Sequence, residues 1–546
     1  MPPPRPNLEL YLVTDSLNLP PNSTVYSQVE ACLSAKHPPT IVQLREKHLS
    51  TAKFIELARD IHALTSKHGV PLLINDRVDV ALAVGCEGVH LGWDDMDVPT
   101  ARKLLGPEKI IGLSISDHEQ LEKALGMDPT YLGIGPVFST PTKPDHSPPL
   151  GTSGVRSLLS AIPLTMQAVA IGGINHCNVQ RVLFQSKDIA GRRLDGVAVI
   201  SAIMASPLPV GACNLLYETM NWPPLFVPTG YSVRTEDFSI YRDNIHKHKP
   251  LVHHITNNVV KSISANISLA LGASPIMSEN PAEFADLAAL PNVGCVLNMG
   301  TFGGGRESQD LFLGALREHN VRGNPVIFDP VGAGATNARR EFAQMIVGAG
   351  YCTVIKGNEG EIRSLAGLGA VKMRGVDGGR EEGSGEELAK IVHDLARLEY
   401  NIVLMTGPKD YISNGARTFC LSNGSKYQSR VTGIGCALGS VIAAFCAAAP
   451  VDESLIGPVI SAIGMYNIAA ERAESLMDGS DQPGKWAVAF VDCLAAMAMS
   501  DENLTELIAV QEVKELTNLE KWETPTGGEG LKQGEDLKQD EDLAEA

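Results

Sequence analysis

Residues 41–47, IVQLREK, close on three long polar side chains, and in an extended chain Gln43, Arg45 and Lys47 share one face with Val42 and Leu44 on the other. An edge strand with a solvated face would account for this stretch alone. Other strand-like segments, however, end in groups of complementary chemistry. PLLINDR carries Asn75 and Asp76, GVHLG runs into Asp94 and Asp95, IIGLSIS delivers Ser114, and YLGIGPVF runs into Thr140, Thr142 and Lys143. MQAVAIGGI ends in Gly172 and Gly173, and GVAVISAI turns at Ile200 and Ser201. Two carboxylates at neighbouring strand ends, Asp76 and Asp95, suit one Mg²⁺, a hard cation that takes oxygen ligands and phosphate. Arg45 and Lys143 suit the phosphate oxygens. Backbone N–H groups at Gly173 and Ser201 suit a second phosphate. A strand-end cap would explain Asp76 by itself, and a tight turn would explain the glycine pair. The whole set at one rim calls for an anion site.

That rim requires a closed arrangement of strands. LELYLVTD, IVQLREK, PLLINDR, GVHLG, IIGLSIS, YLGIGPVF, MQAVAIGGI and GVAVISAI are eight short apolar segments. Helical patterns such as 51–68 and 117–125 lie between most of them. Eight strands alternating with helices within residues 1–220 predict a (β/α)8 TIM barrel, whose functional groups gather at the C-terminal strand ends. A doubly wound sheet would not need eight such regular repeats. On this reading Gln43, Arg45 and Lys47 project toward the barrel mouth.

The stretch 221–238, NWPPLFVPTGYSVRTEDF, is rich in proline and turn residues and marks a linker over 221–239. Beyond it, VIFDPVGAGAT ends a strand at Asp329 before a glycine-rich turn, TVIKGNEGEI delivers Lys356, Asn358 and Glu361, and IVLMTGPKD ends a strand at Thr406. Strands feeding glycine-rich loops and helices predict a three-layer α/β domain over 240–520. TGIGC, residues 432–436, places glycines at the start of a long apolar helix. Exposed N–H groups and the helix dipole make such a start an anion hole. Cys436 shares that helix start, where a thiol is expected to be lowered; a buried inert cysteine is the alternative.

Composition limits the classes. A chain of 546 residues exceeds one ordinary core. A formal charge of −18 argues against nucleic acid as a partner. From Glu523 onward eight acids face two lysines in a repetitive stretch without core-forming residues, so 521–546 is expected to be a disordered acidic tail. MPPPRPNLEL lacks the apolar core of a signal peptide, and the apolar run 437–449 is too short to span a bilayer. Ten cysteines without CxxC pairs indicate neither a zinc site nor a disulfide framework. A reducing, cytoplasmic compartment is expected.

Taken in order, QLREK, IND, HLGWDD, GPVFSTPTK, AIGGI and VISAI resemble thiamine-phosphate synthase across nearly all of residues 7–220. The resemblance implies condensation of thiazole phosphate with aminohydroxymethylpyrimidine diphosphate, releasing diphosphate. It implies that Asp76 and Asp95 bind Mg²⁺, and that Gln43, Arg45, Asn75, Ser114 and Lys143 hold the pyrimidine diphosphate. Thr140, Thr142, Gly173, Ile200 and Ser201 would hold the thiazole phosphate. Arg45 and Lys143 would act catalytically by neutralising the departing diphosphate with Mg²⁺. Trp93 stands where many bacterial members carry Gln and is left out of the site.

DPVGAGAT, KGNEGE, TGIGC and the stretch LVHHITNNVV…ANISLALGASPIM resemble hydroxyethylthiazole kinase of the ribokinase-like group, over about residues 240–510. The resemblance implies that Asn257, Met277 and Cys436 contact the thiazole alcohol. Lys356, Thr406 and Gly433 would bind ATP as co-substrate, and Asp329 with Glu361 would order Mg²⁺. Cys436 occupies the place of the Asp that serves as base in related kinases. Lys356 replaces an Arg of bacterial relatives, keeping the charge without the bidentate fork. Kinase-domain trimers with active sites between subunits are implied as well. Since the kinase product is a synthase substrate, the two resemblances together imply one bifunctional thiamine-biosynthesis enzyme of the fungal kind. A tautomerase-like barrel would not need Asp76, Asp95 and Lys143, and a thiamine sensor without activity would not need the catalytic set.

Overall fold

The computed structural model describes residues 5–138, 140, 149–188, 190–222, 237–301, 304–368, 383–450, 454–479 and 481–517. Thr142, Lys143, most of the expected linker and the expected acidic tail lie outside these residues.

The first eight strands are β1 (Leu10–Val13), β2 (Ile41–Leu44), β3 (Leu72–Asn75), β4 (Gly88–Leu91), β5 (Ile110–Ile115), β6 (Tyr131–Ile134), β7 (Gln167–Ile171) and β8 (Gly196–Val199). They are joined in order, and β8 pairs in parallel with β1 to close a barrel. Alternation along each strand divides the side chains between two cores. Leu10, Leu12, Val42, Leu44 and Ile74 face outward onto helices, among them Phe54, Ala58 and Ile61 of the helix Thr51–Lys67. Tyr11, Val13, Ile41, Leu73, Tyr131 and Val169 fill the interior. β2 lies between β1 and β3, so it has no edge to expose. Gln43 shares the inward parity of Ile41 and stays polar because it lies where interior packing gives way to the mouth.

Among the described residues the second half forms one nine-stranded sheet: β9 (Leu251–Ile255), β10 (Ser274–Ile276), β11 (Val293–Asn298), β12 (Val326–Asp329), β13 (Val354–Asn358), β14 (Ile402–Thr406), β15 (Asp410–Ser413), β16 (Thr418–Leu421) and β17 (Val510–Glu512). Its order is β10-β9-β11-β12-β13-β14-β15-β16-β17, parallel as far as β14 and antiparallel beyond. Both faces are covered. Val296 and Ile327 pack with the helices Ile434–Ala447 and Ile456–Ser475, whereas Cys295, Leu297, Val326 and Phe328 pack with Arg306–Val321 and Asn337–Ala349 on the other side. Parallel strands buried on both faces read as continuous apolar runs, as VGCVLN and VIFD do.

The two halves touch along one side of the barrel. The helix Gly151–Ala161 crosses Asn337–Ala349, with Gly151 and Gly348 at closest approach: a Cβ on Gly151 would lie 3.1 Å from the Gly348 Cα. Beside this crossing Arg156 reaches across to Glu399 at 2.7 Å and to the Leu398 carbonyl at 3.0 Å, with both charged groups almost fully buried. Among the described residues no helix is long and apolar enough to cross a membrane.

Candidate active sites

Parallel strands present their C-terminal ends to one rim, and the barrel brings there those of the expected residues that are described. Asn75 closes β3, Asp76 follows it, Arg45 follows β2, and Ser114 is the penultimate residue of β5. Gly172 and Gly173 follow β7 with φ of +103° and +67°, a left-handed pair that glycine adopts without strain. Ile200 and Ser201 follow β8, the neighbour of β7. Thr140 is half-buried beyond β6.

Asp76 holds an unusual backbone, φ +63°, with its N–H donated to the His90 carbonyl at 2.9 Å. Such strain in a residue other than glycine persists where the surroundings fix it, and often at functional sites. Burial pushes its carboxyl up to about 6, and the Asp95 carboxylate within hydrogen-bonding reach adds to this against the pull of Lys47 and Arg45. Lys47 lies 3.7 Å away. Asp95 is aimed by the Gly92 N–H, which it accepts at 2.8 Å. Two facing carboxylates at neighbouring strand ends are a fitting donor set for a hard divalent ion.

Inside the mouth runs a continuous polar chain. Gln43 Nε2 donates to Asn75 Oδ1 at 2.6 Å, and the Tyr11 hydroxyl donates to Gln43 Oε1 at 2.7 Å. Tyr11 meets the Tyr131 hydroxyl at 2.8 Å, Tyr131 meets His90 Nδ1 at 2.7 Å, and His90 Nε2 meets Ser114 Oγ at 2.9 Å. Polarity propagates along it. With Tyr11 donating to Gln43, Tyr131 donates to Tyr11, His90 Nδ1–H donates to Tyr131, and the Ser114 hydroxyl donates to His90 Nε2. Ser114 therefore keeps its lone pairs, and Asn75 its amide hydrogens, for a ligand. Tyr11, His90 and Tyr131 were absent from the residues singled out by sequence. Their signal was a polar side chain at inward parity in an otherwise apolar strand. Trp93 also borders this site, donating to the Ser114 carbonyl at 2.9 Å.

In the second half the expected residues converge at the C-terminal ends of β12, β13 and β14. Lys356 Nζ lies 3.0 Å from Asp329 Oδ2 and donates to the Gly435 carbonyl at 2.8 Å, with 5% and 1% of the two charged side chains exposed. Burial opposes the Lys356 charge, but Asp329 together with Cys436 and Glu361 outweighs it, and the ammonium is held above its ordinary range. Asn298, another residue not singled out by sequence, joins the pieces: its Nδ2 donates to Asp329 at 2.9 Å and its Oδ1 accepts from Asn257 at 2.8 Å. Asn257 Nδ2 also lies 3.9 Å from the Cys436 sulfur. Met277 follows β10, half-buried, beside the strand that leads to Asn257. Thr406 ends β14 opposite Asn358, its hydroxyl on the Gly357 carbonyl at 3.3 Å. Gly433, with φ +91°, turns the chain into the helix Ile434–Ala447.

One expectation changes. Cys436 was expected to be a lowered thiol, but burial pushes it up to about 11; the neighbouring Asp329 charge adds to that rise and Lys356 only partly offsets it. The helix start does not prevail over burial and a carboxylate that close. Glu361 was expected to order Mg²⁺. Both of its oxygens already accept backbone N–H groups, from Gly332 and Asn358 at 2.8 Å each. Asp329 is likewise committed to Lys356 and Asn298. The pair fits a cation held through water better than one ligated directly. Burial, followed by the Asp329 charge, pushes Glu361 up to about 7.

One cluster of metal-capable side chains lies apart from both sites: His253, Cys295 and His319, all buried. The ring nitrogens of its two histidines are already matched. Asn324 donates to the Ala288 carbonyl at 2.8 Å and to His319 Nδ1 at 3.2 Å, His319 meets His253 at 2.9 Å, and His253 Nε2 donates to the Ser278 carbonyl at 2.9 Å. Both imidazoles are neutral in this chain.

Comparison with known proteins finds two families along the chain. Residues 10–203 match the thiamine monophosphate synthase family, and residues 243–500 match the hydroxyethylthiazole kinase family. A relative named "Probable thiamine biosynthetic bifunctional enzyme" in Schizosaccharomyces pombe is 39% identical over 498 residues, covering 89% of this chain and 94% of the relative. The thiamine biosynthetic bifunctional enzyme of Saccharomyces cerevisiae is 35% identical over 523 residues, with the same two coverages.

Proposed function

Because the chain belongs to the bifunctional thiamine biosynthetic enzymes, joining a thiamine-phosphate synthase to a hydroxyethylthiazole kinase, we propose that its halves act in sequence through the residues just described. The kinase half phosphorylates hydroxyethylthiazole with ATP, and the barrel joins the thiazole phosphate to aminohydroxymethylpyrimidine diphosphate. The observation that carries the barrel assignment is the Asp76–Asp95 pair beside Arg45 and Lys47, at the same rim as the polar chain.

In the barrel, Gln43, Asn75 and Ser114 hold the pyrimidine with polarity set by Tyr11, Tyr131 and His90. Asp76 and Asp95 hold Mg²⁺, which neutralises charge on the departing diphosphate when bound. Arg45 and Lys143 share that task. The thiazole nitrogen attacks with its own lone pair, so no side chain needs to remove a proton. Gly173 and Ser201 receive the thiazole phosphate by backbone N–H groups, with Thr140, Thr142 and Ile200 around it.

In the kinase half, Lys356, Thr406 and Gly433 bind ATP, Asn257 and Met277 orient the thiazole alcohol, and Asp329 with Glu361 orients hydrated Mg²⁺. Cys436, held as a thiol, positions the alcohol beside Asp329. Assembly through kinase-domain trimers and residence in the cytoplasm complete the proposal. Calorimetric titration tests the barrel assignment. Pyrimidine diphosphate should bind the wild type only with Mg²⁺ and should lose that dependence in Asp76→Asn; equal, metal-independent binding by both proteins would remove Asp76 from the metal site.

A further inference from the structure

A carboxylate outside the residues assigned so far links two turns of the kinase half. Asp410 opens β15 and is 6% exposed; Asn467, on the helix Ile456–Ser475, is 4% exposed. Asp410 Oδ1 accepts the Gly407 N–H at 3.1 Å, and Asp410 Oδ2 accepts Asn467 Nδ2 at 2.7 Å. Asn467 Oδ1 accepts Gln428 Nε2 at 3.0 Å, and Gln428 Oε1 accepts the Ser425 N–H at 2.8 Å. The chain thus begins and ends on backbone donors. Gly407 follows Thr406 in the turn after β14, and Ser425 caps the short 3-10 turn that leads into TGIGC.

The ends fix the chemistry of the middle. An amide placed in such a chain accepts on one side and donates on the other, so a row of amides carries a single polarity. Two terminal donors cannot be joined that way. One member must accept on both sides, and among protein side chains an ionised carboxylate does so. The Ser425 N–H turns the Gln428 oxygen toward itself, so Gln428 presents Nε2 to Asn467. Asn467 must then present its oxygen to Gln428 and its nitrogen to position 410. Asp410 is the residue that resolves the conflict.

We propose that Asp410, Asn467 and Gln428 are positioning residues for nucleotide binding, setting the separation between the turn after Thr406 and the turn before Gly433. This rests on the reading of Thr406 and Gly433 as ATP-binding residues. The same helix supports it independently: Tyr466, next to Asn467, donates to the Ile434 carbonyl at 2.7 Å and so holds the start of the TGIGC helix directly. Two consecutive residues of one buried helix thus hold both turns.

The test uses the full-length protein and two variants. Asp410→Asn places two amide donors against each other, and flipping Asn467 or Gln428 only moves the conflict along the chain. Its KM for ATP should rise roughly tenfold, the expected scale of one unmade buried hydrogen bond, with kcat changed far less. The double variant D410N/N467D moves the carboxylate one place, and every hydrogen bond can be remade: the new amide at position 410 accepts from Gly407 and donates to position 467, which accepts from Gln428. Its KM for ATP should return to within about twofold of wild type. Synthase activity, assayed with thiazole phosphate supplied, should stay constant throughout. A double variant no better than D410N, or D410N kinetics equal to wild type, overturns the relay. A KM rise confined to the thiazole alcohol, reversed in the double variant, overturns instead the nucleotide reading of the two turns. Should D410N fail to fold, the double variant decides alone: a folded protein with wild-type KM supports the relay, and an unfolded one overturns it.

Discussion

Replacing Lys356 with Met would remove the cation from a buried pair and leave Asp329 in place. The contact is 3.0 Å with almost no solvent on either side. At an effective dielectric of about 20 the Coulomb term at that distance is roughly 5 kcal/mol, before desolvation is charged against it. Breaking such a pair from one side typically costs ~3–5 kcal/mol, because the remaining charge keeps its burial and loses its partner. Asn298 still donates to Asp329 at 2.9 Å, which favours the lower end. Asp329 can also take up a proton. Burial already raises its carboxyl above the ordinary 3.8, and without Lys356 it rises further. A folded pKa above the unfolded one means that stability is greatest at low pH and is lost as pH rises through the folded value. Urea unfolding of K356M, followed by loss of the kinase-half signal, should therefore show a deficit of about 3 kcal/mol at pH 8 that narrows at pH 6. Synthase activity should be retained in low urea, and D329N/K356M should recover most of the stability without kinase activity. An unfolding midpoint equal to wild type at both pH values, with unchanged KM for ATP, would refute the buried-pair reasoning.

Cys436→Ala should keep kinase kcat within about tenfold of wild type, since a thiol held near 11 is not the proton acceptor whose loss typically costs ~10²-fold or more. Cys436→Asp should fare worse than Ala, because it sets a second carboxylate against Asp329; steady-state kinetics in which Asp matches wild type and Ala is dead would restore a base at this position. Asp76 gives a pH signature in the metal-free protein. Its folded value of about 6 exceeds the ordinary 3.8, so its contribution to stability is present below about 4 and is lost as pH rises through 6. Added Mg²⁺ should raise the melting temperature at pH 8 in wild type and not in Asp76→Asn; an equal rise in both would place the cation elsewhere.

Much of this was legible in the sequence because strand alternation and strand-end position are local properties. Asp76 and Asp95, read as neighbours on adjacent strand ends, do face each other, and Gln43 does point into the barrel. The eight apolar segments became eight strands because each needs only four to six residues of alternating or continuous apolar character. What escaped were properties of three-dimensional company. Tyr11, Tyr131 and His90 lie within strands, where an aromatic residue reads as core until its hydroxyl or imidazole meets a partner from another strand. Asn298 reads as a strand end until it is found between Asn257 and Asp329. The Cys436 thiol was misjudged for the same reason: the helix start is visible in TGIGC, whereas the burial of the thiol and the carboxylate more than a hundred positions earlier are not. Asp410 and Asn467 carry no motif at all, and their meaning comes from two backbone N–H groups that only the fold brings into line.

The central claim is that two separate sites on one chain act in sequence. Supplying hydroxyethylthiazole, ATP, Mg²⁺ and pyrimidine diphosphate to wild type and to Asp76→Ala, with products resolved by mass, tests it most directly. Wild type should yield thiamine phosphate, and Asp76→Ala should accumulate thiazole phosphate at a near-normal rate while forming almost no thiamine phosphate. Loss of both products in a folded Asp76→Ala protein, or normal thiamine phosphate from it, would contradict the account.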